Sequence, residues 1–272
     1  MQPKTLDVQG IPIAYYESAG QGLPVLLLHG NSTSGRTFIK QLDSDLGQQY
    51  RLIAPDLPGF GLSQPLDDPS TQAGLRPWAC TMTALLDALG VREVVVLGWS
   101  LGGHIALEMA PSLPKLKGVV IYGTPPLGMP PAMDKAFLPH PNMEFTFKEQ
   151  LTEEQMDSYV GSFFAADFAE RPAQFLEDIR RADGRARGVI AQNVMQADFL
   201  DELKVVAELQ APLAILHGAN EQLVNGDYFA SVSAPTLWRN EVQVIEGAGH
   251  APHWETPEEF NALVAAFLAD VA

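Results

Sequence analysis

Cysteine is nearly absent from this sequence, since Cys80 is the only one among 272 residues. A single cysteine excludes an internal disulfide and a cysteine-rich metal site. Cys80 falls within a helical pattern, where we expect a small thiol to be buried. The chain is long enough to bury a sizeable core, either as one large α/β domain or as a core with an inserted subdomain.

Basic residues are also scarce: 17 Lys and Arg stand against 33 Asp and Glu, for a formal net charge of −16. Such an acidic surface repels nucleic acid and anionic membranes, so neither is an expected partner. No apolar run approaches the roughly 18 residues that a membrane span needs. The first ten residues lack a basic region followed by an apolar stretch, so we expect no signal peptide and predict a soluble, cytoplasmic protein.

Short apolar runs alternate with helical patterns along most of the chain. The runs lie at residues 24–30, 51–56, 93–100, 116–123, 213–218 and 241–247, and the helical patterns at 36–48, 76–89, 101–110, 201–209, 224–232 and 257–270. Such continuous apolar runs are typical of parallel strands buried on both faces. Two alternating stretches at 5–10 and 11–18 indicate an antiparallel hairpin ahead of them. The pattern predicts an α/β fold with a mostly parallel, doubly wound sheet.

One long interval holds no strand pattern. Residues 127–200 contain eight of the thirteen Phe and five of the eight Met, and must pack this apolar surface on something. A helix start within them is indicated by the capping box of Thr152 and Gln155. We therefore predict a core formed by residues 1–126 and 201–272, and a helical cap subdomain at 127–200 that lies over the strand ends.

The stretch Gly98-Trp99-Ser100-Leu101-Gly102 has the G-x-S-x-G spacing of a sharp turn from a strand into a helix. A buried strand pattern precedes it and a helical pattern follows, as such a turn requires. The two glycines suit a crowded turn, and the helix N-terminus directs free N–H groups toward developing negative charge. We predict that Ser100 is a nucleophile; the alternative is a tight turn with an incidental serine.

A serine nucleophile needs a base, and the base needs an acid that orients it. His250 lies in a glycine-rich loop after the last strand pattern, at the sheet edge that parallel strands share with Ser100. Glu221 follows the preceding strand, which gives the chain order Ser, acid, His that this fold uses. The less favoured base is His253, which is better explained by packing, and the less favoured acid is Asp227, in the following helical pattern.

Acyl transfer also needs hydrogen-bond donors for the developing oxyanion. We expect one donor to be the backbone N–H of Leu101 and the second to come from the stretch HGNSTSG, after the first parallel strand. There Gly30 allows a close backbone approach, and Asn31 offers both a backbone N–H and a carboxamide. The alternative for the Asn31 side chain is that it caps the next turn.

Together these residues resemble the α/β-hydrolase superfamily over essentially the whole chain. The similar stretches, in the family's order, are LLLHGN, APDLPGFGLS, GWSLGGH, LHGANE and GAGHAPHWE. In that family the DLPGFG stretch is structural, so the resemblance implies a structural role for Asp56 and Gly59.

A closer resemblance is to the metal-independent N-acyl-homoserine lactonases of this fold. It is carried by HGNSTSG, LIAPDLPG, GWSLGGHIALEM, GTPP, DSYV, DGRAR and GHAP. The resemblance implies opening of the homoserine lactone ring, which silences quorum-sensing signals, with no metal or other cofactor. It places substrate contacts at Asn31 and Tyr159, and we expect Trp99 to contact the substrate as well. For Tyr159 the alternative is simple core packing.

The same fold and triad serve other chemistries. The alternative function is that of a general carboxylesterase or a C–C bond hydrolase, and a non-catalytic hormone-type receptor of this fold is a further alternative. Dehalogenases and epoxide hydrolases resemble this chain but have Asp at the position of Ser100. The expected partner is a small-molecule acyl lactone or ester, with the acyl-length preference and the oligomeric state left open.

Overall fold

The computed structural model describes residues 1–170 and 172–272, and within them eight strands form one sheet. The strands are β1 (Lys4–Val8), β2 (Ile11–Glu17), β3 (Pro24–Leu28), β4 (Arg51–Pro55), β5 (Val94–Trp99), β6 (Leu116–Tyr122), β7 (Leu213–Gly218) and β8 (Gln243–Ile245). Their order across the sheet is β1-β2-β4-β3-β5-β6-β7-β8. Strand β2 pairs antiparallel with β1 and β4, and the other neighbours are parallel. The predicted hairpin and mostly parallel sheet are confirmed.

Helices cover both faces of the sheet. They are α1 (Ile39–Leu42), α2 (Asp45–Gln49), α3 (Pro69–Gln72), α4 (Leu75–Ala88), α5 (Leu101–Met109), α6 (Met133–Ala136), α7 (Glu153–Gly161), α8 (Ala173–Arg181), α9 (Gly184–Gln196), α10 (Glu202–Glu208), α11 (Pro252–Glu255) and α12 (Pro257–Val271). Short 3-10 helices lie at Gly35–Phe38, Ala110–Ser112, Pro141–Thr146, Gly226–Ser231 and Trp238–Asn240. In the described part of the chain, none of the helices has both the length and the apolar character to cross a membrane.

Strand β3 explains why the apolar runs are continuous rather than alternating. Successive side chains of a strand point to opposite faces of the sheet. Leu26 joins the apolar cluster that contains Trp78 of α4 and Ile105 of α5. Its neighbour Leu27 joins the cluster that contains Phe260 of α12. Both faces are therefore buried, which confirms the doubly wound arrangement.

Two predicted helices are less regular than their patterns suggested. The pattern at residues 36–48 is divided into the 3-10 helix Gly35–Phe38 followed by α1 and α2, and the pattern at 224–232 contains only the 3-10 helix Gly226–Ser231.

The prediction that Cys80 is buried is wrong, because its side chain is exposed. Helix α4 buries the face that contains Trp78, Ala79 and Met82. Each residue of a helix is rotated by about 100° from the one before it. That rotation moves Cys80 out of the buried face and toward solvent.

The segment between β6 and β7 covers the carboxyl ends of the strands. Its side chains join both apolar clusters: Phe163 and Phe175 pack on one face, and Ile190 and Phe199 on the other. The predicted capping box at the start of α7 is present, with both of its hydrogen bonds formed. The boundaries of the cap at residues 127 and 200 stay a prediction.

Candidate active site

Ser100 lies at the turn between β5 and α5 with a φ of 53°, a value that costs free energy for any residue other than glycine. The neighbouring glycines are there for space. A Cβ on Gly98 would overlap the backbone of Gly102, and a Cβ on Gly102 would overlap the carbonyl of Leu28. The Ser100 N–H donates to the Tyr122 carbonyl at 2.9 Å, which ties the turn to β6. This packing holds the side chain of Ser100 at the end of the strand.

The start of α5 provides hydrogen-bond donors beside Ser100. Leu101 is the first residue of this helix, so its N–H has no acceptor within the helix. The positive end of the helix dipole lies at the same point. Gly30 and Asn31, after β3, line the same cavity as Ser100 and Leu101. The two predicted sources of oxyanion donors thus face one space.

His250 and Glu221 form a buried pair at the ends of β8 and β7. The distance between His250 Nδ1 and Glu221 Oε2 is 2.7 Å, and the Leu223 N–H donates to Glu221 Oε1 at 2.8 Å. Burial raises the pKa of Glu221, but the adjacent His250 and these hydrogen bonds together bring it below its ordinary value of 4.5. The carboxylate is ionised and can only accept, so Nδ1 of His250 carries the hydrogen and donates it.

The loop that carries His250 is held by two further side chains. Glu255 accepts the N–H groups of Gly249 and Ala251, on either side of His250, at 2.9 and 3.3 Å. The indole N–H of Trp99 donates to the His250 carbonyl at 2.7 Å. The backbone of His250 is therefore tied both to its own loop and to the residue before Ser100.

The imidazole of His250 lies against Gly123, at the end of β6. A Cβ built on Gly123 would lie 2.7 Å from its Cε1 atom and 3.2 Å from its Nε2 atom. Both Ser100 and His250 line the cavity, and Glu221 lies behind the ring with its side chain 2% exposed. The structure thus places the predicted serine and histidine on one cavity, with the predicted acid bonded to the imidazole.

The alternative base, His253, is part of the core. Its Nε2 is 3.0 Å from the Thr37 hydroxyl, and its ring centroid is 4.8 Å from that of Trp99. Burial holds the pKa of His253 well below its ordinary value, so the ring is neutral. Asp227, the alternative acid, is exposed on its 3-10 helix.

The cavity is mostly apolar and is closed by the segment between β6 and β7. Its apolar lining consists of Leu75, Trp99, Leu101, Leu127, Met133, Phe137, Met143, Phe147, Phe163, Ile190, Val194, Phe199 and Leu223. Of the described residues that line it, none is Lys or Arg. Trp99 exposes only its ring here, since its N–H is already bonded. The cavity suits an uncharged, mostly apolar ligand with a reactive carbonyl near Ser100.

Asn31 and Tyr159 both bond to Thr146, and all three residues line the cavity. The Asn31 carboxamide donates to the Thr146 carbonyl at 2.9 Å, and the Tyr159 hydroxyl is 3.2 Å from the Thr146 hydroxyl. Burial raises the pKa of Tyr159 to about 12, so its hydroxyl keeps its hydrogen. Asn31 therefore links the loop after β3 to the segment between β6 and β7. This contact differs from the alternative prediction, in which the Asn31 side chain caps its own turn.

A relay of donors fixes which way the Asn31 amide points. Arg187 of α9, with its side chain almost fully buried, donates to the Ser32 hydroxyl at 2.9 Å and to the Glu149 carbonyl at 2.7 Å. Ser32 in turn donates to Asn31 Oδ1 at 3.0 Å. Because the arginine can only donate, the serine must pass its hydrogen to the amide oxygen, and the amide NH₂ must face Thr146.

Sequence reasoning missed several of these residues. Arg187 belongs to the quoted stretch DGRAR, but no pattern links it to Ser32. Glu255 lies five residues after His250, and this short separation is the feature of the sequence that could have linked it to the His250 loop. Asp56 accepts the N–H groups of Gly35 and Leu62, both at 2.7 Å, which is the structural role that the resemblance implied.

No metal-binding group is evident where the structure is described. Residues 1–170 and 172–272 contain no cluster of three or more His, Cys, Asp or Glu side chains that could hold an ion.

A strained serine at a strand-to-helix turn, a His–Glu pair and a mostly parallel sheet define the class of protein. The chain belongs to the α/β-hydrolase family, whose model matches residues 25–263. The resemblance seen in the sequence is thereby confirmed.

Individual relatives are of two kinds. The fold is similar to that of a mutant of the N-acyl homoserine lactonase AidH in complex with N-hexanoyl homoserine lactone, with 36% identity and a TM-score of 0.95 over 100% of this chain and 99% of that one. AidH in complex with N-butanoyl homoserine gives the same identity and TM-score over 100% and 98%. The 2-hydroxy-6-oxononadienedioate/2-hydroxy-6-oxononatrienedioate hydrolase 2 of Pseudomonas putida is 29% identical, over 97% of this chain and 92% of its own.

Proposed function

We propose that this chain is a serine hydrolase that opens the lactone ring of N-acyl homoserine lactones. The observation that carries the proposal is the cavity, which Asn31 and Tyr159 line together with Ser100 and His250 and whose lining is otherwise mostly apolar. The 36% identity with the lactonase AidH over the whole chain supports it. A polar head with a reactive carbonyl and an apolar tail match this division of the cavity.

The proposed reaction begins when His250 Nε2 takes the proton of Ser100 as its Oγ attacks the lactone carbonyl carbon. The carbonyl oxygen becomes an oxyanion, held by the N–H groups of Leu101 and Asn31. The ring C–O bond then breaks, and the imidazolium gives its proton to the leaving oxygen, which stays in the same molecule as a hydroxyl. Water, deprotonated by His250, then attacks the ester on Ser100. The imidazolium returns the proton to Ser100 Oγ as the ester bond breaks and the acid is released.

Each remaining group has a place in this scheme. Glu221 keeps the hydrogen of His250 on Nδ1 and stabilises the imidazolium. The Asn31 amide and the Tyr159 hydroxyl are proposed to contact the polar head of the substrate, and the ring of Trp99 to contact its apolar part. The acyl chain occupies the apolar space beneath the segment between β6 and β7.

The direct test is turnover of N-butanoyl, N-hexanoyl and N-dodecanoyl homoserine lactone at pH 7, with the ring-opened acid measured by mass spectrometry. We expect ring opening at least about 10³-fold above the rate in buffer for one chain length or more. A folded protein without turnover of any of the three lactones would contradict the proposal. The matched control is the Ser100→Ala variant, which has the same cavity without the nucleophile.

A second candidate is hydrolysis of a C–C bond, because the Pseudomonas putida relative bears that activity in its name. Its named substrates are dicarboxylates, which would need cationic partners. The described lining of this cavity contains no Lys or Arg and includes the Glu202 carboxylate, which favours an uncharged substrate. Including a vinylogous diketone acid in the same panel distinguishes the two, since its turnover in preference to the lactones would favour C–C hydrolysis.

The relay onto Asn31 makes a prediction about Ser32. Replacing Ser32 by Ala frees the Asn31 amide to rotate, so we expect kcat/KM for the lactone to fall by about tenfold, the worth of one buried hydrogen bond. The matched control is Ser34→Ala, which removes a neighbouring buried hydroxyl that donates to Asp178 at 2.7 Å instead. That control should lower the melting temperature but leave kcat/KM within about twofold.

A double-mutant comparison shows whether Ser32 acts through Asn31. In an Asn31→Ala background, Ser32→Ala should have no further effect on kcat/KM, because the group that it orients is already gone. Additive losses would mean that Ser32 acts independently of Asn31.

A further inference from the structure

A second histidine–glutamate pair, in which the glutamate is buried and the histidine half-buried, lines the same cavity, and the proposed mechanism does not use it. His104 of α5 has its Nδ1 at 2.8 and 3.0 Å from the two carboxylate oxygens of Glu202, at the start of α10. The Glu202 side chain is 1% exposed, and it also accepts the N–H of Leu127 at 2.7 Å. Both His104 and Glu202 line the cavity.

The apolar surroundings of the His104–Glu202 pair give it a free-energy cost that a role in packing alone does not explain. Leu127, Met133 and Phe199 line the cavity with it. Placing a carboxylate and an imidazole among apolar side chains costs free energy that two apolar residues of the same size would not. A polar ligand group that binds the pair offsets this cost.

The hydrogen bonds of the pair determine what it can offer to a ligand. A carboxylate only accepts, and the Leu127 N–H confirms that Glu202 is accepting here, so the hydrogen of the imidazole lies on Nδ1. Within the described residues, Nε2 of His104 has no hydrogen-bond partner. A neutral ring accepts a hydrogen bond at Nε2, and a cationic ring donates one. The pair can therefore bind either a hydroxyl or a carbonyl group.

We propose that His104, oriented by Glu202, is a specificity-determining residue that binds an oxygen substituent on the acyl chain of the substrate. The inference rests on the proposed function and deepens it, since it names acyl chains that carry a hydroxyl or a carbonyl as the substrate class. His104 lies four residues after Ser100 along α5, a rise of about 6 Å. That separation corresponds to about five bonds from the lactone carbonyl carbon, through the amide, to carbon 3 of the acyl chain.

The first test uses the wild-type protein with N-hexanoyl homoserine lactone and its derivatives that carry a hydroxyl or an oxo group at carbon 3 or carbon 5. An unpaired hydroxyl in an apolar cavity should lower kcat/KM by about tenfold or more. We expect at least one oxygenated lactone to match or exceed the unsubstituted one. A loss of about tenfold or more for every oxygenated lactone would overturn the inference.

The second test compares two variants of His104, each of which keeps a polar atom at the position of only one of the two ring nitrogens. In His104→Asn, the amide nitrogen occupies the place of Nδ1 and keeps a donor for Glu202, but Nε2 is gone. In His104→Gln, the amide reaches the place of Nε2. We expect the ratio of kcat/KM for the preferred oxygenated lactone over the unsubstituted one to fall by about fivefold to tenfold in His104→Asn, and less in His104→Gln.

The apolar control is Met133→Leu, which alters the same cavity without changing its polarity, and this ratio should stay within about twofold of the wild type. An unchanged ratio in His104→Asn would overturn the inference while leaving the lactonase proposal intact. Absence of turnover of all the lactones by the wild-type protein would instead overturn the proposed function. If His104→Asn fails to fold, the wild-type comparison alone decides.

Discussion

Replacing Ser100 by Ala should lower kcat for lactone ring opening by at least about 10⁴-fold, because Ser100 is the proposed nucleophile that forms the ester intermediate. Binding should change little, since the hydroxyl contributes only a small part of the cavity surface. The dissociation constant for the lactone, measured by calorimetry with the inactive variant, should lie within about threefold of the wild-type KM. Residual activity above a few per cent would show that Ser100 is not the nucleophile.

A second variant separates the hydroxyl of Ser100 from the backbone strain of the turn. Ser100 has a φ of 53°, which alanine tolerates no better than serine but glycine adopts readily. We expect Ser100→Ala to keep the stability of the wild type, and Ser100→Gly to raise the free energy of unfolding by about 1 kcal/mol. Both variants should be inactive. Equal unfolding free energies for all three proteins would show that the turn stores no strain.

A fluorophosphonate probe offers an independent check on the same residue. An activated serine forms a covalent adduct with such a probe, and peptide mass spectrometry should place that adduct on Ser100. Labelling of a different serine would contradict the assignment, even if the alanine variant were inactive for another reason.

Replacing Glu221 by Gln should lower kcat by about 10² to 10⁴-fold with a small effect on KM. Glutamine has the size of glutamate but lacks its charge, so it neither stabilises an imidazolium nor forces the hydrogen of His250 onto Nδ1. His250 and Glu221 lie 2.7 Å apart with both side chains almost fully buried, so water cannot compensate for the lost charge. The measurement is single-turnover and steady-state kinetics on the preferred lactone.

The control for Glu221 is Asp227→Asn, which removes an exposed carboxylate six residues further along the chain. We expect kcat and KM within about twofold of the wild type, since the charge there is solvated. A large loss of activity in Asp227→Asn, with little loss in Glu221→Gln, would transfer the role of the acid to Asp227.

The shifted pKa of Glu221 also predicts part of the pH dependence. The folded-state pKa lies below the ordinary value of 4.5, so the carboxyl is ionised at every pH above it. Its contribution to stability is present above pH 4.5 and is lost as the pH falls through the lower, folded-state value. The pH profile of kcat/KM between pH 5 and 9 should therefore contain no inflection from Glu221.

The nucleophile turn was predictable because all its determinants are adjacent in the chain. Gly98, Ser100 and Gly102 stand between a strand pattern and a helical pattern, and each glycine is required by backbone atoms of the turn or of β3. His250 and Glu221 were placed by topology alone, since the carboxyl ends of parallel strands share one edge of the sheet. The position of Cys80 was predicted wrongly, because a helical pattern does not fix the phase of residues at the border of its apolar face.

The contacts that specify a substrate were not predictable in the same way. Arg187 reaches Ser32 across 155 residues of chain, and His104 reaches Glu202 across 98. Nothing in the spacing of these residues marks them as partners. They meet because the segment between β6 and β7 folds back over the ends of β3 and β5. Only these contacts determine which group donates and which accepts in each hydrogen bond.

The sequence alone therefore determined the doubly wound sheet, the strained serine and the loops that carry its histidine and acid, because period, glycine spacing and strand order are local or topological properties. The tertiary structure alone decided the orientation of the Asn31 amide, the pairing of His104 with Glu202 and the mostly apolar lining of the cavity that these residues share. These features depend on the packing of side chains from distant segments. Burying an unpaired polar group costs free energy, so the polar groups that this packing buries are those that find partners in it.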